Sequence, residues 1–268
     1  MIVCAPAYEI FALRYATVER RASNTYLVWQ GADHPVPLDF FFWAVRGAGR
    51  TIVVDTGFSA YSAQKRKRPQ RHAPVDLLRQ IGIAPETVSD VILTHLHFDH
   101  AGNTDVFPMA TFHLQTREMA FVTGAAMSHH LLREHYEVED LAAVLRLVHA
   151  GRVRFHDGEG EIAPGVDVHL AEGHTAGMQA VRVSTQRGPV VLCSDAVHYY
   201  ANIERENPFP AVADVVAELN SYRRLMALAG DLDHLIPSHD PEVLKRFSPH
   251  PDGQGDVVCL HVPPHAFP

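Results

Sequence analysis

Cysteine is scarce: three residues, Cys4, Cys193 and Cys259, odd in number and far apart. That excludes a disulfide framework and suits a reducing compartment, so a cytoplasmic protein is expected. Positive charge is in deficit. Lys plus Arg come to 23 against 31 Asp plus Glu, a formal net charge of −8. Nucleic acids and anionic membranes both call for a basic surface, so neither is expected as a partner. No apolar run reaches about 18 residues, so no transmembrane helix is expected. The opening stretch, MIVCAPAYEIFALRYATVERR, lacks a basic leader region and mixes charges in early, which argues against a signal peptide. Linkers and low-complexity segments are missing as well. The 268 residues, 47% hydrophobic and 20% charged, can bury a sizeable core. They are read as a single α/β domain over 1–268, with a helical insertion around 115–150 and an irregular tail from about 248.

Histidine is in excess: nineteen residues. Histidine is the commonest metal ligand and a frequent proton carrier, so a metal site is the first thing to look for. The pattern around it is layered α/β. Leu38 to Val45 and Thr51 to Val54 read as paired strands about the turn Gly47-Ala48-Gly49. The Leu38 to Val45 run is either core or a dimer face, so a homodimer stays open. Val75 to Ile81 reads as a short helix, and Val91 to Leu93 as a buried strand running into Thr94-His95. Gln115 to Ala150 is mostly helical, with Leu141, Val144, Leu145 and Val148 on one stripe. Strands resume at Val166 to Leu170, Val181 to Val183 and Val190 to Cys193. A helix follows Pro208 and Pro210, with Val212, Val215, Val216, Leu219, Tyr222, Met226 and Ala229 on one face and Gly230 past its end. His234-Leu235-Ile236 is the last strand. Strands that end just before polar residues place a site at the strand ends.

The string Thr94-His95-Leu96-His97-Phe98-Asp99-His100-Ala101-Gly102 carries the chemistry. Three imidazoles and one carboxylate fall within six residues, directly after a buried strand. Leu96 and Phe98 alternate with them and can pack inward to lock the loop. Borderline cations such as zinc take imidazole nitrogen and carboxylate oxygen in this way.

This HxHxDH string resembles the signature of the metallo-β-lactamase superfamily, and the resemblance runs along nearly the whole chain. It implies a four-layer αββα sandwich and two divalent metal ions, with zinc the expected ion. Asp55-Thr56-Gly57 resembles the family's DTG turn. His174 in Gly173-His174-Thr175, Asp195 in Ser194-Asp195-Ala196 and His239 in Ser238-His239-Asp240 resemble its remaining ligands. By that mapping His95, His97 and His174 hold one ion, and Asp99, His100 and His239 hold the other. Asp195 and a hydroxide bridge them. A Glu at the second signature position would suggest a redox di-iron relative; His97 stands there, which favours a hydrolytic centre.

An Asp bridge, the HLHFDHAGN phrasing, the helical middle segment and SDAVHYY followed by an amphipathic helix and IPSHDPEV resemble the N-acyl homoserine lactonase branch. That implies a metal-dependent hydrolase acting on ester bonds: a lactonase, quorum-quenching or acting on another small lactone. Asp99 would carry the proton to the leaving oxygen. The branch's usual substrate-contacting tyrosine, three residues after the bridging Asp, is His198 here, with Tyr199 and Tyr200 next. Either His198 or a neighbouring tyrosine takes that place. The alternatives are a glyoxalase II-like thioesterase or other carboxylic ester hydrolase, and, from another class, a non-catalytic metal-binding module. A thioesterase would want a basic patch for an acidic substrate. The basic run Lys65 to Arg68 is either a solvated loop between Ser62 and Pro74 or a contact with an acidic substrate or partner.

The other histidines take blander readings. His113 and His169 are half-buried in strands. His129, His130 and His135 belong to the insertion that shapes a pocket wall. His72, His149, His156, His234, His250, His261 and His265 are surface or tail residues. Cys193 is a small buried side chain, and Met109, Phe112, Met119 and Phe121 are core or lid.

Overall fold

A computed structural model describes residues 6–265; Cys4 lies outside the described residues. The chain opens with a long strand that hydropathy alone does not announce, β1 (Glu9–Arg21). It pairs antiparallel with β2 (Pro35–Gly47), which turns at Ala48-Gly49 into β3 (Arg50–Val54). The β2 run LDFFFWAV is apolar at nearly every position because both of its faces are covered. Phe41, Trp43 and Val45 belong to one buried cluster and Phe40, Phe42 and Ala44 to another, as the two-residue period of a strand requires. This run is therefore core, and the dimer-face alternative does not hold.

After β3 come α1 (Ala60–Arg66) and α2 (Pro74–Gln80), the latter with Pro in its first turn, where no N–H is missed. The expected solvated loop before Pro74 is thus partly helical. Three parallel strands follow: β4 (Asp90–Ile92), β5 (Thr111–Gln115) and, across the helical stretch, β6 (Val153–His156). That stretch contains α3 (Thr116–Thr123), α4 (His130–Arg133) and α5 (Val138–His149). On α5, Val144 is buried and Leu141 and Leu147 pack against it, while Leu145 is 45% exposed. The stripe is rotated by one position from the expected one.

A second sheet holds β7 (Gly160–Ala163), β8 (Val166–Leu170), β9 (Gln179–Thr185), β10 (Gly188–Ser194) and, beyond α6 (Tyr200–Glu204) and α7 (Val215–Ala229), β11 (Leu235–Pro237). On α7, Tyr222, Leu225 and Ala229 are buried, but Val216 is 69% exposed and Val212 precedes the helix. Asp214 caps it through Val216 and Ala217 N–H, and Gly230 takes a positive φ at its end. After α8 (Glu242–Arg246) the chain adds β12 (Ser248–Pro249) and β13 (Val257–Cys259) to the free edge of β1. The expected irregular tail is therefore a sheet edge. Its Pro and Gly content fits the turn between the two short strands and hides the pairing.

The first sheet runs β12-β13-β1-β2-β3-β4-β5-β6 and the second β11-β10-β9-β8-β7. One hydrophobic cluster joins Ile10, Trp43 and Val54 of the first sheet to Val168, Val181 and Leu192 of the second, with Tyr222 and Leu225 of α7 added. A separate cluster covers the other face of the first sheet with Leu77 and Leu78 of α2 and Val144 of α5. Helix, sheet, sheet and helix thus stack as four layers around two sheets.

Candidate metal centre

The site lies where β3, β4 and β10 end. Asp55 follows β3 and Ser194 closes β10, and both adopt positive φ without being glycine (63° and 47°). Such backbone is costly and persists where the surroundings over-determine it. Here they do. Asp55 accepts from Thr94 N at 2.8 Å, from Thr94 Oγ1 at 2.8 Å and from Ser194 Oγ at 3.2 Å. Gly57, at φ 69°, completes the turn, and a Cβ there would meet Pro74 Cγ at 2.7 Å.

Asp55 also reaches His100, whose Nδ1 lies 2.8 Å from its Oδ2. The Nδ1 atoms of His174 and His239 face carbonyls, Ala211 O and Asp39 O, each at 2.6 Å. A carbonyl only accepts, so in both rings Nδ1 carries the proton and Nε2 presents a lone pair. Orientation of one ring nitrogen by an outer partner is how ligand histidines are set. The loop that carries His95, His97, Asp99 and His100 is pinned by Leu96 N–H to Glu118 Oε1 at 3.0 Å and Phe98 N–H to His135 O at 2.9 Å. Glu118 also accepts from Thr175 Oγ1 at 2.6 Å and Gly177 N at 3.2 Å. One buried carboxylate from α3 therefore ties the two histidine loops together.

The side chains converge into two groups whose ligand atoms each fall within 4.8 Å: His95, His97, His174 and Asp195, and Asp99, His100, Asp195 and His239. Asp195 is common to both. Its Oδ1 is 3.1 Å from His100 Nε2 and 3.0 Å from His239 Nε2; its Oδ2 is 3.4 Å from His174 Nε2 and 3.2 Å from His198 Nε2. His95 Nε2, His100 Nε2 and Asp195 Oδ1 are buried with no partner in hydrogen-bond geometry. Buried polar atoms are ordinarily satisfied, so orphans in each of the two groups fit a cation in each. Imidazole nitrogen with carboxylate oxygen is a suitable donor set.

Electrostatics keep the lone pairs of His95, His97 and His174 available. Burial, with neighbouring imidazoles, pushes His95 and His97 well below the ordinary histidine value, and burial drops His174 to about 3. Burial also works against a charged His100, but Asp195, Asp55 and Asp99 together outweigh it and hold that ring well above its usual value. Burial raises Asp195, and His239, His100 and His198 reverse this to hold it well below.

Over the groups sits a cavity of ≈ 230 Å³ lined by His97, Asp99, His198 and His135 together with Phe40, Phe98, Leu131 and Phe209. Tyr199 is not brought to it: its hydroxyl donates to Pro37 O at 3.2 Å. His198 is, its ring stacked on Phe209. His135 joins the wall, 5.1 Å from His97 between ring centroids, while His129 and His130 are exposed. His156 is buried rather than on the surface, bonded to His113 Nδ1 at 3.1 Å, and His113 in turn meets Asp90 at 3.0 Å. Met109 is 74% exposed and belongs to neither core nor lid. Of the basic run, Lys65 and Arg66 clamp Glu137 at 2.6 and 2.8 Å, and Arg68 lines the cavity. Sequence reasoning missed Glu118 and the outer role of Asp55: an acid inside an amphipathic helix gives no signal for the first, and the turn after β3 does not show which histidine the second will meet.

A two-sheet α/β sandwich with paired histidine–carboxylate groups at its strand ends defines the class: an αββα fold with a candidate metal-binding centre. The metallo-beta-lactamase superfamily model matches residues 41–239, and the chain belongs to that superfamily. It is 33% identical over 152 residues to an N-acyl homoserine lactonase of Bacillus sp, covering 56% of this chain and 55% of the relative. It is 33% identical over 132 residues to N-acyl homoserine lactonase AiiB of Agrobacterium fabrum, covering 47% and 46%. The chain thus matches about half the length of these curated relatives. Among solved structures it resembles a quorum-quenching N-acyl homoserine lactone lactonase at TM-score 0.73 and 24% identity, over 87% of this chain and 92% of that one. The dizinc quorum-quenching lactonase AidC aligns at TM-score 0.69 and 18% identity, over 89% and 90%. These structural likenesses concern the fold.

Proposed function

We propose that the protein is a dinuclear metal-dependent hydrolase that opens a small lactone ring. The observation that carries this is Asp195, one carboxylate with an oxygen turned to each group of ligands. His95, His97 and His174 would hold one cation and Asp99, His100 and His239 the other, with Asp195 shared; zinc suits the set. When bound, two such cations supply Lewis acidity and lower the pKa of water toward neutrality.

The chain's own groups do the rest. Phe40, Phe98 and Phe209 form apolar walls that exclude bulk water from the ester. His198 donates to the oxyanion that develops on the substrate carbonyl. Asp99 takes a proton and returns it to the leaving alkoxide, so the ring opens to a hydroxy acid. The relatives' names support a homoserine lactone as the substrate type. Residues 1–268 are read as one domain, supported by the cluster shared between the sheets. A cytoplasmic setting is supported by Cys193 and Cys259 being free thiols. Among the described residues no helix is long and apolar enough to cross a membrane.

The test is acid release by the zinc-loaded protein from a panel of acyl homoserine lactones, an aromatic lactone, a glutathione thioester and a β-lactam. Lactone turnover that stops on chelation and returns with zinc is expected. A fully loaded protein that opens no lactone overturns the proposal.

A further inference from the structure

The cavity carries two arginines that form no ion pair with any acid among the described residues. Arg20, at the end of β1, and Arg68, just after α1, both line it. Among the described residues neither forms an ion pair, and Arg20 Nε is buried with no hydrogen-bond partner. Acids are not lacking nearby. Arg14 is paired with Asp39 and Asp256, Arg21 with Asp33, Arg66 with Glu137 and Arg71 with Asp256. The neighbouring arginines along both segments are ion-paired, and the two that reach the cavity are not. The rim acid Glu134 faces His130 and His135 instead, at 3.9 and 3.8 Å.

Aromatic rings hold both guanidinium groups in place. Arg20 lies 5.3 Å from the centroid of Phe209, which is stacked on His198. Arg68 lies 5.6 Å from Phe40, which meets His239 edge-on at 5.0 Å. Each positive charge is thus one ring removed from an imidazole of the centre. Ring faces orient a guanidinium without satisfying its N–H donors. Burial lowers the Arg68 pKa from its usual high value, and the nearby Asp99, which forms no ion pair with it, does not offset this. A guanidinium fork matches a carboxylate, and such pairs are stronger than neutral hydrogen bonds. A neutral hydrocarbon chain would leave both forks unanswered in a dehydrated cavity.

We propose that the substrate carries a free carboxylate on the part remote from the bond being cleaved, and that Arg20 and Arg68 bind it. This rests on the reading of the centre as an ester-opening one. At ≈ 230 Å³ the cavity falls below the ~300–1,000 Å³ usual for drug-sized ligands, so a short dicarboxylic half-acyl group fits the class.

The matched probes are N-succinyl-homoserine lactone and N-succinamoyl-homoserine lactone, which share a shape and differ by one charge, used on the zinc-loaded full chain. The succinyl compound is expected to show a kcat/KM at least about tenfold higher, chiefly through KM. Arg20→Gln and Arg68→Gln each lower that ratio, the double variant brings it to about one, and Arg68→Lys keeps part of it. A wild-type ratio of one, or a ratio that survives in the double variant, overturns the proposal. A second arm needs no turnover: calorimetric binding of succinate against succinamate. If no lactone is opened, the hydrolase reading falls, and this arm still decides the anion site. Preference for succinate that vanishes in the double variant upholds it; equal binding of the two overturns it.

Discussion

The imidazole of His198 lies flat on the ring of Phe209, with centroids 4.0 Å apart and planes 4° apart. A second ring, His239, is 5.0 Å away at 30°. Packed against both, His198 keeps Nε2 3.2 Å from Asp195 Oδ2. Burial lowers its pKa, so the ring is neutral at pH 7 and can donate one proton without carrying charge. His198→Phe preserves the stack and removes the donor. Loss of an oxyanion donor costs about 10²–10³ in kcat, so a drop of that order with KM little changed is expected. Steady-state kinetics on a lactone check it, and a variant within about threefold of wild type would remove His198 from that role.

Asp195 sits among four imidazole nitrogens at 3.0–3.4 Å. Its charge is what lets two cations lie side by side, because their mutual repulsion needs an anion between them. Asp195→Asn keeps the shape and removes the charge. Elemental analysis should find about one equivalent of metal or less in place of about two. Zinc at about a thousand times its dissociation constant stabilises a folded site by ~4 kcal/mol, and the variant should show a clearly smaller rise in melting temperature. Full occupancy in Asp195→Asn would falsify the shared-ligand assignment.

Much of this centre was legible because ligand chemistry is local: His95 to His100 come from one loop, and the loop follows a strand that its apolar run announces. His174, Asp195 and His239 lie after apolar runs that also proved to be strands. What resisted reading was whatever tertiary contact decides. β1 carries charges at Glu9, Arg14, Glu19 and Arg20, which blur its alternation; the partner β2 supplies its regularity. The Pro- and Gly-rich tail became a sheet edge because β1 offered unpaired groups there. Tyr199 looked equivalent to His198 in sequence, yet one residue along a turn sends its hydroxyl to Pro37 O. Glu118 was invisible because its partners lie 22 and 57 residues away.

The Glu118 carboxylate bonds both histidine loops. It is fully buried, and burial raises its pKa although three donors and Tyr136 oppose this. Glu118→Ala strips the acceptors from Leu96 N, Thr175 Oγ1 and Gly177 N at once. Each unsatisfied buried donor costs about 1–3 kcal/mol, so the loss should reach at least ~3 kcal/mol. Denaturant melts measure it. Because the loops also aim His97 and His174, zinc affinity should fall with stability, as for outer-shell partners, by ~10–100-fold. Gly177→Ala tests the same junction from the other side, since a Cβ there would lie 2.0 Å from Glu118 N. A Glu118→Ala protein with unaltered melting and zinc affinity would show that the junction is not needed.

Asp140, in the first turn of α5, has a buried Oδ2 without a partner, and its pKa is raised to about 7. Burial is the main cause, Glu137 and Glu139 add to it, and Arg66 and Lys65 oppose. An acid raised in the folded state binds its proton more tightly there than in the unfolded chain, where it titrates near 3.9. Between roughly pH 4 and 7 the folded state therefore holds the extra proton, and stability falls as pH rises through that window. Asp140→Asn cannot ionise and escapes the loss, though it gives up a favourable charge at the helix start. The melting temperature of Asp140→Asn relative to wild type should therefore move in the variant's favour from pH 4 to pH 8. With solvent screening of this partly exposed group the swing is on the order of 1 kcal/mol, or ~2–4 °C for a chain of this size. Parallel melting curves across that range, with a constant difference between the two proteins, would mean that Asp140 titrates as it does in the unfolded chain.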